Sequence, residues 1–403
     1  MSRFLFLSLP MSGHVNPMSA VAQSLSRLGH EVAWVGSESF LRPALGPDAL
    51  VYPIPLRVHR GQADLGMAAT KSRWAGYIVP HAKYTLPGVE KAVTEFQPDV
   101  LVVDQHAVAG AVMAHKHGLV WASVAPTTME LNRPFLDAQP KVEAWIQEQL
   151  AAVWTLAGLP GRPPHDLRFS PYLLVAFTGA ALTGELTWPD NAELVGAAVT
   201  ARAPDPDFPW DWLEADPGTP VVLVSLGTVT RADGRRFLRT AVEAFADSEP
   251  VQESWTPSPR LIVVAPDGLL DTPPGARILC RPAVPQLALL AHLDAVVSHA
   301  GHNTVCETLA HGLPLVLAPI RDDQPVIAEQ VVRAGAGIRV PYARVGPADL
   351  RDAVRTVLED PAYRTAAEAV RGDLLAAGGA PAAADRLEAA APTSHRPCLL
   401  PGS

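Results

Sequence analysis

The stretch Val297–Gln324, VSHAGHNTVCETLAHGLPLVLAPIRDDQ, decides how this chain folds and gives the first sign of what it binds. The run Ala295-Val296-Val297 leading into it is apolar and β-branched, the mark of a buried strand. The chain then turns through His299-Ala300-Gly301 and enters an amphipathic helix near His302. Such a helix leaves its first backbone N–H groups unpaired, with the positive end of the helix dipole behind them, and this is a site for an anion. Gly301 allows close approach to the backbone, and Asn303 and Thr304 add hydrogen-bond donors. Glu307 follows on the same helical face, where a carboxylate repels phosphate but accepts two vicinal hydroxyls well. A second strand, Pro314–Ala318, delivers Asp323-Gln324 at another strand-to-helix turn, and an acid beside an amide suits the hydroxyls of a hexose.

Outward from this stretch the same alternation recurs. Toward the N-terminus it predicts strand Phe4–Leu9, helix Pro17–Leu28 and strand Glu31–Val35, then strand Val100–Val103, helix Ala107–His117 and strand Val120–Val124. Strands Val221–Ser225, Leu261–Ala265 and Arg277–Leu279 repeat the scheme with helices Gly234–Ala246 and Gln286–Ala291, and further helices run from Pro347 onward. The class is α/β, with parallel sheets covered on both faces. Leu41–Leu86 and Pro126–Arg168 read as irregular insertions. The prolines and aspartates of TARAPDPDFPWDWLEADPGTP break both helix and strand, and they divide the chain into a domain over 1–203, a linker over 204–219 and a domain over 220–378. A closing helix over 379–391 and a disordered tail over 392–403 complete the expected organisation.

The C-terminal signature resembles that of the family 1 inverting glycosyltransferases: Pro285-Gln286, then His299-x-Gly301-x-Asn303-Thr304, then Glu307, then Asp323-Gln324. The resemblance implies a GT-B fold, two facing Rossmann-like domains with an interdomain cleft, and a closing helix that crosses back to the first domain. It implies that His299, Asn303 and Thr304 meet a diphosphate, Glu307 the ribose, and Asp323 with Gln324 the sugar, and Gly301 and His302 are counted with them as donor-binding residues. Val284 and Gln286 lie in the segment that serves the base, and Ser225 and Thr228 of SLGT lie in a donor-contacting loop. Many members carry Trp two residues before the Pro, stacking on the base; Ala283 stands there in this chain. The region Val102–Arg133 and DDQP are also similar to bacterial macrolide glycosyltransferases and zeaxanthin glucosyltransferases, which implies an apolar, natural-product-like acceptor.

Sugar transfer with inversion needs a base for the acceptor hydroxyl, and a neutral imidazole can serve at pH 7. His14, in PMSGHVNP, follows the first strand at the mouth of a helix expected to begin at Pro17, where the positive helix end is a poor neighbour for a cation. Asp104 ends the strand DVLVVD at the same edge of the sheet, placed to hold one ring nitrogen of His14. The resemblance implies the same His-Asp pair. Trp74, Tyr77, Phe135 and Trp145 are the candidates for an acceptor wall.

Composition narrows the alternatives. A chain of 403 residues exceeds one ordinary core, a net charge of −9 argues against nucleic acid, and 3 cysteines are too few for a disulfide framework, so a cytoplasmic location is expected. The apolar opening Phe4–Leu9 is too short for a signal peptide, and no run approaches the roughly 18 apolar residues that span a bilayer, which leaves room for peripheral membrane contact alone. Asp205-Pro206-Asp207 imitates a metal-binding DxD but lies among prolines with no strand to present it, and His299, His302 and Glu307 lack a further converging ligand, so no metal and no cofactor is expected. His106, His115 and His117 read as surface residues of a helix. There is no GxGxxG for a dehydrogenase and no GxSxG for a hydrolase. The resulting expectation is a metal-independent hexosyltransferase using UDP-glucose, with a dTDP-deoxysugar donor, an epimerase or a non-catalytic GT-B helper as alternatives. Monomer or homodimer is left open.

Overall fold

Buried strands whose neighbours in sequence serve opposite faces build the first sheet. In β1 (Arg3–Leu7), Phe4 and Phe6 join one apolar cluster and Leu5 and Leu7 another, so both faces are covered. The computed structural model describes residues 1–56, 67–131, 139–184, 189–199, 205–227, 234–246, 258–270 and 277–392. The chain divides into two compact units, one from residues 1–178, 185–198 and 377–403, the other from 179–184 and 199–376.

In the first unit β1 is flanked on one side by β2 (Glu31–Gly36) and then β3 (Leu50–Pro53). On the other come β4 (Val100–Asp104), β5 (Val120–Ala125), β6 (Leu173–Ala176) and β7 (Ala192–Leu194). Every pairing is parallel. Helices Val79–Phe96, Ala109–Lys116 and Pro140–Leu156 cover the Leu5 face, and helices Ser12–Arg27 and Gly379–Ala390 cover the Phe4 face. In the second unit β8 (Val221–Ser225) has β9 (Arg260–Val264) and β10 (Ile278–Arg281) on one side, and β11 (Ala295–Ser298), β12 (Leu315–Leu317) and β13 (Gly337–Arg339) on the other, again all parallel. In both sheets the winding reverses beside the first strand, and ligands of doubly wound sheets settle at the carboxyl ends of the strands at that reversal.

Four expectations need correction. The first helix begins at Ser12 rather than Pro17, with the Val15 N–H bonded to the Met11 carbonyl, and Pro17 is absorbed inside it. Leu41–Leu86 is not irregular where it is described: it holds helix Glu38–Leu45, β3 and a helical run from Met67 to Phe96. That run widens into a π-helical segment at Trp74–Ile78, where the Val79 N–H reaches back to the Trp74 carbonyl, and Pro80 then starts the next α segment at a position that needs no donor. Pro126–Arg168 likewise holds a helix, Pro140–Leu156. Residues 205–219 are more than a linker, because Phe208 is buried and helix Trp210–Glu214 packs Trp210, Trp212 and Leu213 on the Val221–Leu223 face of the second sheet. The expected tail from 393 lies outside the described residues. Among the described residues no helix is long and apolar enough to cross a membrane.

Candidate active site

The reversal point of the first sheet lies between β1 and β4, whose register pairs Leu7 with Val103. His14 stands in the first turn of the helix that follows β1, and Asp104 is the last residue of β4. Their side chains meet: His14 Nδ1 is 2.7 Å from Asp104 Oδ2. An ionised carboxylate only accepts, so Nδ1 carries the proton and Nε2 is left as the acceptor nitrogen. The same carboxyl oxygen accepts the Leu9 N–H at 3.0 Å and the Ser8 hydroxyl at 3.4 Å, while Oδ1 accepts the His106 N–H at 2.9 Å. Asp104 is fully buried and the His14 side chain 13% exposed. Burial works against charge on Asp104, but the His14 ring and the surrounding donors outweigh it and hold the carboxyl well below its usual range.

His106 corrects another expectation. It is fully buried in the turn after β4, not on a helix surface, and sits between Asp104 and Glu130. Glu130 pairs with Arg168, which also bonds Asp166 and Glu143. Nothing in the local sequence marks this cluster, because its members come from separate connections and meet through the tertiary fold. His14, Asp104 and His106 offer ligand atoms within 4.8 Å of one another, an arrangement a divalent ion could use.

Trp74 and Tyr77 do not form an open wall. At 1% and 5% exposure they belong to the core, with Trp74 edge-on to His106 and the Tyr77 hydroxyl pushed up to about 12 by burial and by Asp104. Trp145 packs half-buried against the same core, and Phe135 lies outside the described residues. A cavity occurs instead among Phe40, Leu41, Ile54, Leu56 and Val89, reaching Ser8 beside Asp104.

At the reversal point of the second sheet, Ser225 ends β8 directly beside Ser298 of β11. Helix His302–Ala310 starts at Gly301, and helix Gln324–Arg333 starts at Asp323. The ring of His299 fills the space between the two glycines of the site: a Cβ on Gly227 would lie 2.7 Å from its Cε1, and one on Gly301 2.6 Å from its Nε2. Burial pushes His299 down to about 4 despite nearby Asp323, so the ring is neutral near pH 7. Gln286 donates to Glu307 at 2.5 Å, which brings the Pro-Gln segment and half-buried Val284 to the same helix. The Gln324 side-chain oxygen accepts the N–H groups of Ile320 and Arg321, shaping the loop that presents Asp323. His302 is buried against Cys306, while Asn303 and Thr304 lie half-buried in the first turn. Thr228 lies outside the described residues.

The family described as erythromycin biosynthesis protein CIII-like, C-terminal domain, matches residues 262–389. The chain is 26% identical to 4'-demethylrebeccamycin synthase of Lentzea aerocolonigenes, over 96% of this chain and 99% of that protein. It is 28% identical to demethyllactenocin mycarosyltransferase of Streptomyces fradiae, over 96% and 86% respectively. The crystal structure of the glycotransferase of kitacinnamycin matches with a TM-score of 0.80 at 27% identity, covering 97% of this chain and 99% of that one. Along nearly its whole length the chain is similar to glycosyltransferases, with the two-sheet α/β architecture of the GT-B type. The matched region 262–389 contains the whole run from Gln286 to Gln324, so these motif residues stand inside the region of similarity.

Proposed function

We propose that this glycosyltransferase moves a hexose, with inversion at the anomeric carbon, from a nucleotide diphosphate sugar to a hydroxyl of an apolar, natural-product-like small molecule. The observation that carries the reading is the 2.7 Å pair of His14 and Asp104 at one sheet's reversal point, in a chain whose other reversal point carries the signature turns. In the reaction His14 Nε2 takes the proton of the acceptor hydroxyl. That oxygen bonds to the anomeric carbon, and the bond from this carbon to the diphosphate oxygen breaks with its electron pair leaving on the nucleotide. Asp104 stabilises the imidazolium as it forms.

The diphosphate belongs at the first turn of helix His302–Ala310, with neutral His299 adding no charge but a ring N–H, and Glu307 beyond it for the ribose. Asp323 beside Gln324 supports UDP-glucose, since these groups suit a sugar that keeps its ring hydroxyls. Ala283, exposed where many members place Trp, favours a second reading in which the donor is a dTDP-deoxysugar. The cavity among Phe40, Ile54 and Val89 supports an apolar acceptor, and the names of the relatives, a synthase of 4'-demethylrebeccamycin and a mycarosyltransferase of demethyllactenocin, fit one.

The test is His14→Ala, assayed with labelled UDP-glucose against a panel of apolar phenols and alcohols. Turnover is expected to fall about a hundredfold or more while donor affinity by calorimetry stays within about twofold. Unchanged turnover would remove His14 as the base, and no transfer by the unaltered protein to any acceptor would favour a non-catalytic helper. Excess chelator is expected to leave the rate unchanged.

A further inference from the structure

Behind Asp104 lies a row of buried charges that transfer by His14 and Asp104 does not itself employ. His106 Nδ1 stands 3.9 Å from Asp104 Oδ1, and its Nε2 stands 3.5 Å from Glu130 Oε1. The second oxygen of Glu130 accepts from Arg168 at 2.7 Å, and Arg168 is held in turn by Asp166 and Glu143. The other groups around the imidazole are the His14 ring, with centroids 5.8 Å apart, the Trp74 ring at 6.0 Å, and Arg73 from the helix Met67–Arg73.

Burial first, and then Arg73, keep His106 from taking a second proton, although both carboxylates pull the other way. A neutral imidazole has one N–H and one lone pair, so it can donate to only one of the two carboxylates beside it. The nitrogen nearer its carboxylate is Nε2, the one facing Glu130. Nδ1 lies farther from its carboxylate, so Nε2 is the better placed of the two to carry the proton. We propose that Glu130, anchored by Arg168, fixes the His106 proton on Nε2, so that the Nδ1 lone pair faces Asp104 and the carboxylate charge is left whole for His14. This rests on the reading of His14 and Asp104 as the catalytic pair. With the proton on Nδ1 instead, His106 would donate to Oδ1, and Asp104 would have less charge to offer the imidazolium forming on His14. Glu130 and His106 are therefore positioning residues.

Glu130→Gln tests this sharply, because Arg168 can only donate. The amide oxygen must face Arg168, which turns the NH2 toward His106 Nε2 and forces the ring proton to Nδ1. The expected result is a His106 tautomer switched from Nε2–H to Nδ1–H in two-dimensional 15N–1H spectra. kcat should fall about tenfold or more, with the donor KM within about twofold. Removing the misplaced proton, in Glu130→Gln/His106→Leu, should recover most of the lost kcat, which repair of a merely structural defect would not do. An Nδ1–H tautomer in the unaltered protein overturns the proposal without any variant, including the case where Glu130→Gln fails to fold. A switched tautomer with full turnover also overturns it. If His14→Ala keeps its turnover, the base assignment falls by itself, and the native tautomer still judges the role of Glu130.

Discussion

The ring of His299 occupies the volume that a methyl group on Gly301 would need, and Gly301 has an ordinary φ of −65°, so the glycine is required by the ring rather than by the backbone. Gly301→Ala should push the ring, or the turn, away from its place. Donor kcat/KM is expected to drop roughly tenfold to a hundredfold, as displacements of this size do. In the His299→Ala background the same change should cost little more, since the obstructing ring is gone. Additive losses in that double variant, measured by steady-state kinetics, would show that the two side chains act separately. Asp323 gives a second prediction at this scale. If it bonds a sugar hydroxyl, Asp323→Ala should lower kcat/KM for UDP-glucose about tenfold or more, and glucose transfer at the native rate would rule that contact out. The motif residues could be singled out in the sequence because their types and spacing suit the chemistry proposed for them. His106, Glu130 and Arg168 were not, because burial made by three separate connections determines their roles.

Among the elements, the strands were the most legible, since short β-branched runs buried on both faces have few other readings. The helical run Met67–Phe96 was obscured by Gly76, Pro80 and Pro87, whose usual meaning is overridden by the π-helical segment and by packing of Val89, Ala92 and Val93 on the first sheet. The closing helix Gly379–Ala390 docks through an apolar stripe. Ala380, Ala383, Ala384 and Leu387 are buried with Val21 and Leu25 of helix Ser12–Arg27, and His30 Nε2 meets Glu388 at 3.2 Å. Leu387→Ala is expected to cost about 2–5 kcal/mol, read as a lower midpoint in urea unfolding of the intact chain. A midpoint unchanged from the native protein would mean that the helix is not part of the cooperative core.

Over the whole molecule the two sheets follow one winding scheme, which the alternation of strands and helices in the sequence announced. The length of the insertions and the true edge of the second unit came from packing that only the fold reveals. The buried cluster around Arg168 adds a pH dependence to stability. Burial opposes ionisation of Glu130, but Arg168 and His106 prevail and bring it from 4.5 down to about 2, and Asp104 and Asp166 are lowered as well. Carboxyls depressed on folding stabilise fully above their ordinary range and lose that contribution as pH falls through the folded values. Tm should therefore hold from pH 7 to about 5 with respect to these groups and decline below about 4.5. Arg168→Met leaves the carboxylates without their cation and should cost about 3–5 kcal/mol at neutral pH, with the gap to the native protein narrowing in acid as the carboxyls become neutral. A gap of constant size from pH 7 to 3.5, measured by calorimetry, would show that the cluster does not couple to protons this way.

The docking of Gly379–Ala390 on Ser12–Arg27 also governs how such enzymes can be recombined. A hybrid that takes its front portion from one parent and everything after residue 198 from another would press a foreign C-terminal segment onto a partner it never evolved with. Exchanging that closing segment together with the front keeps each hydrophobic seam within a single ancestry.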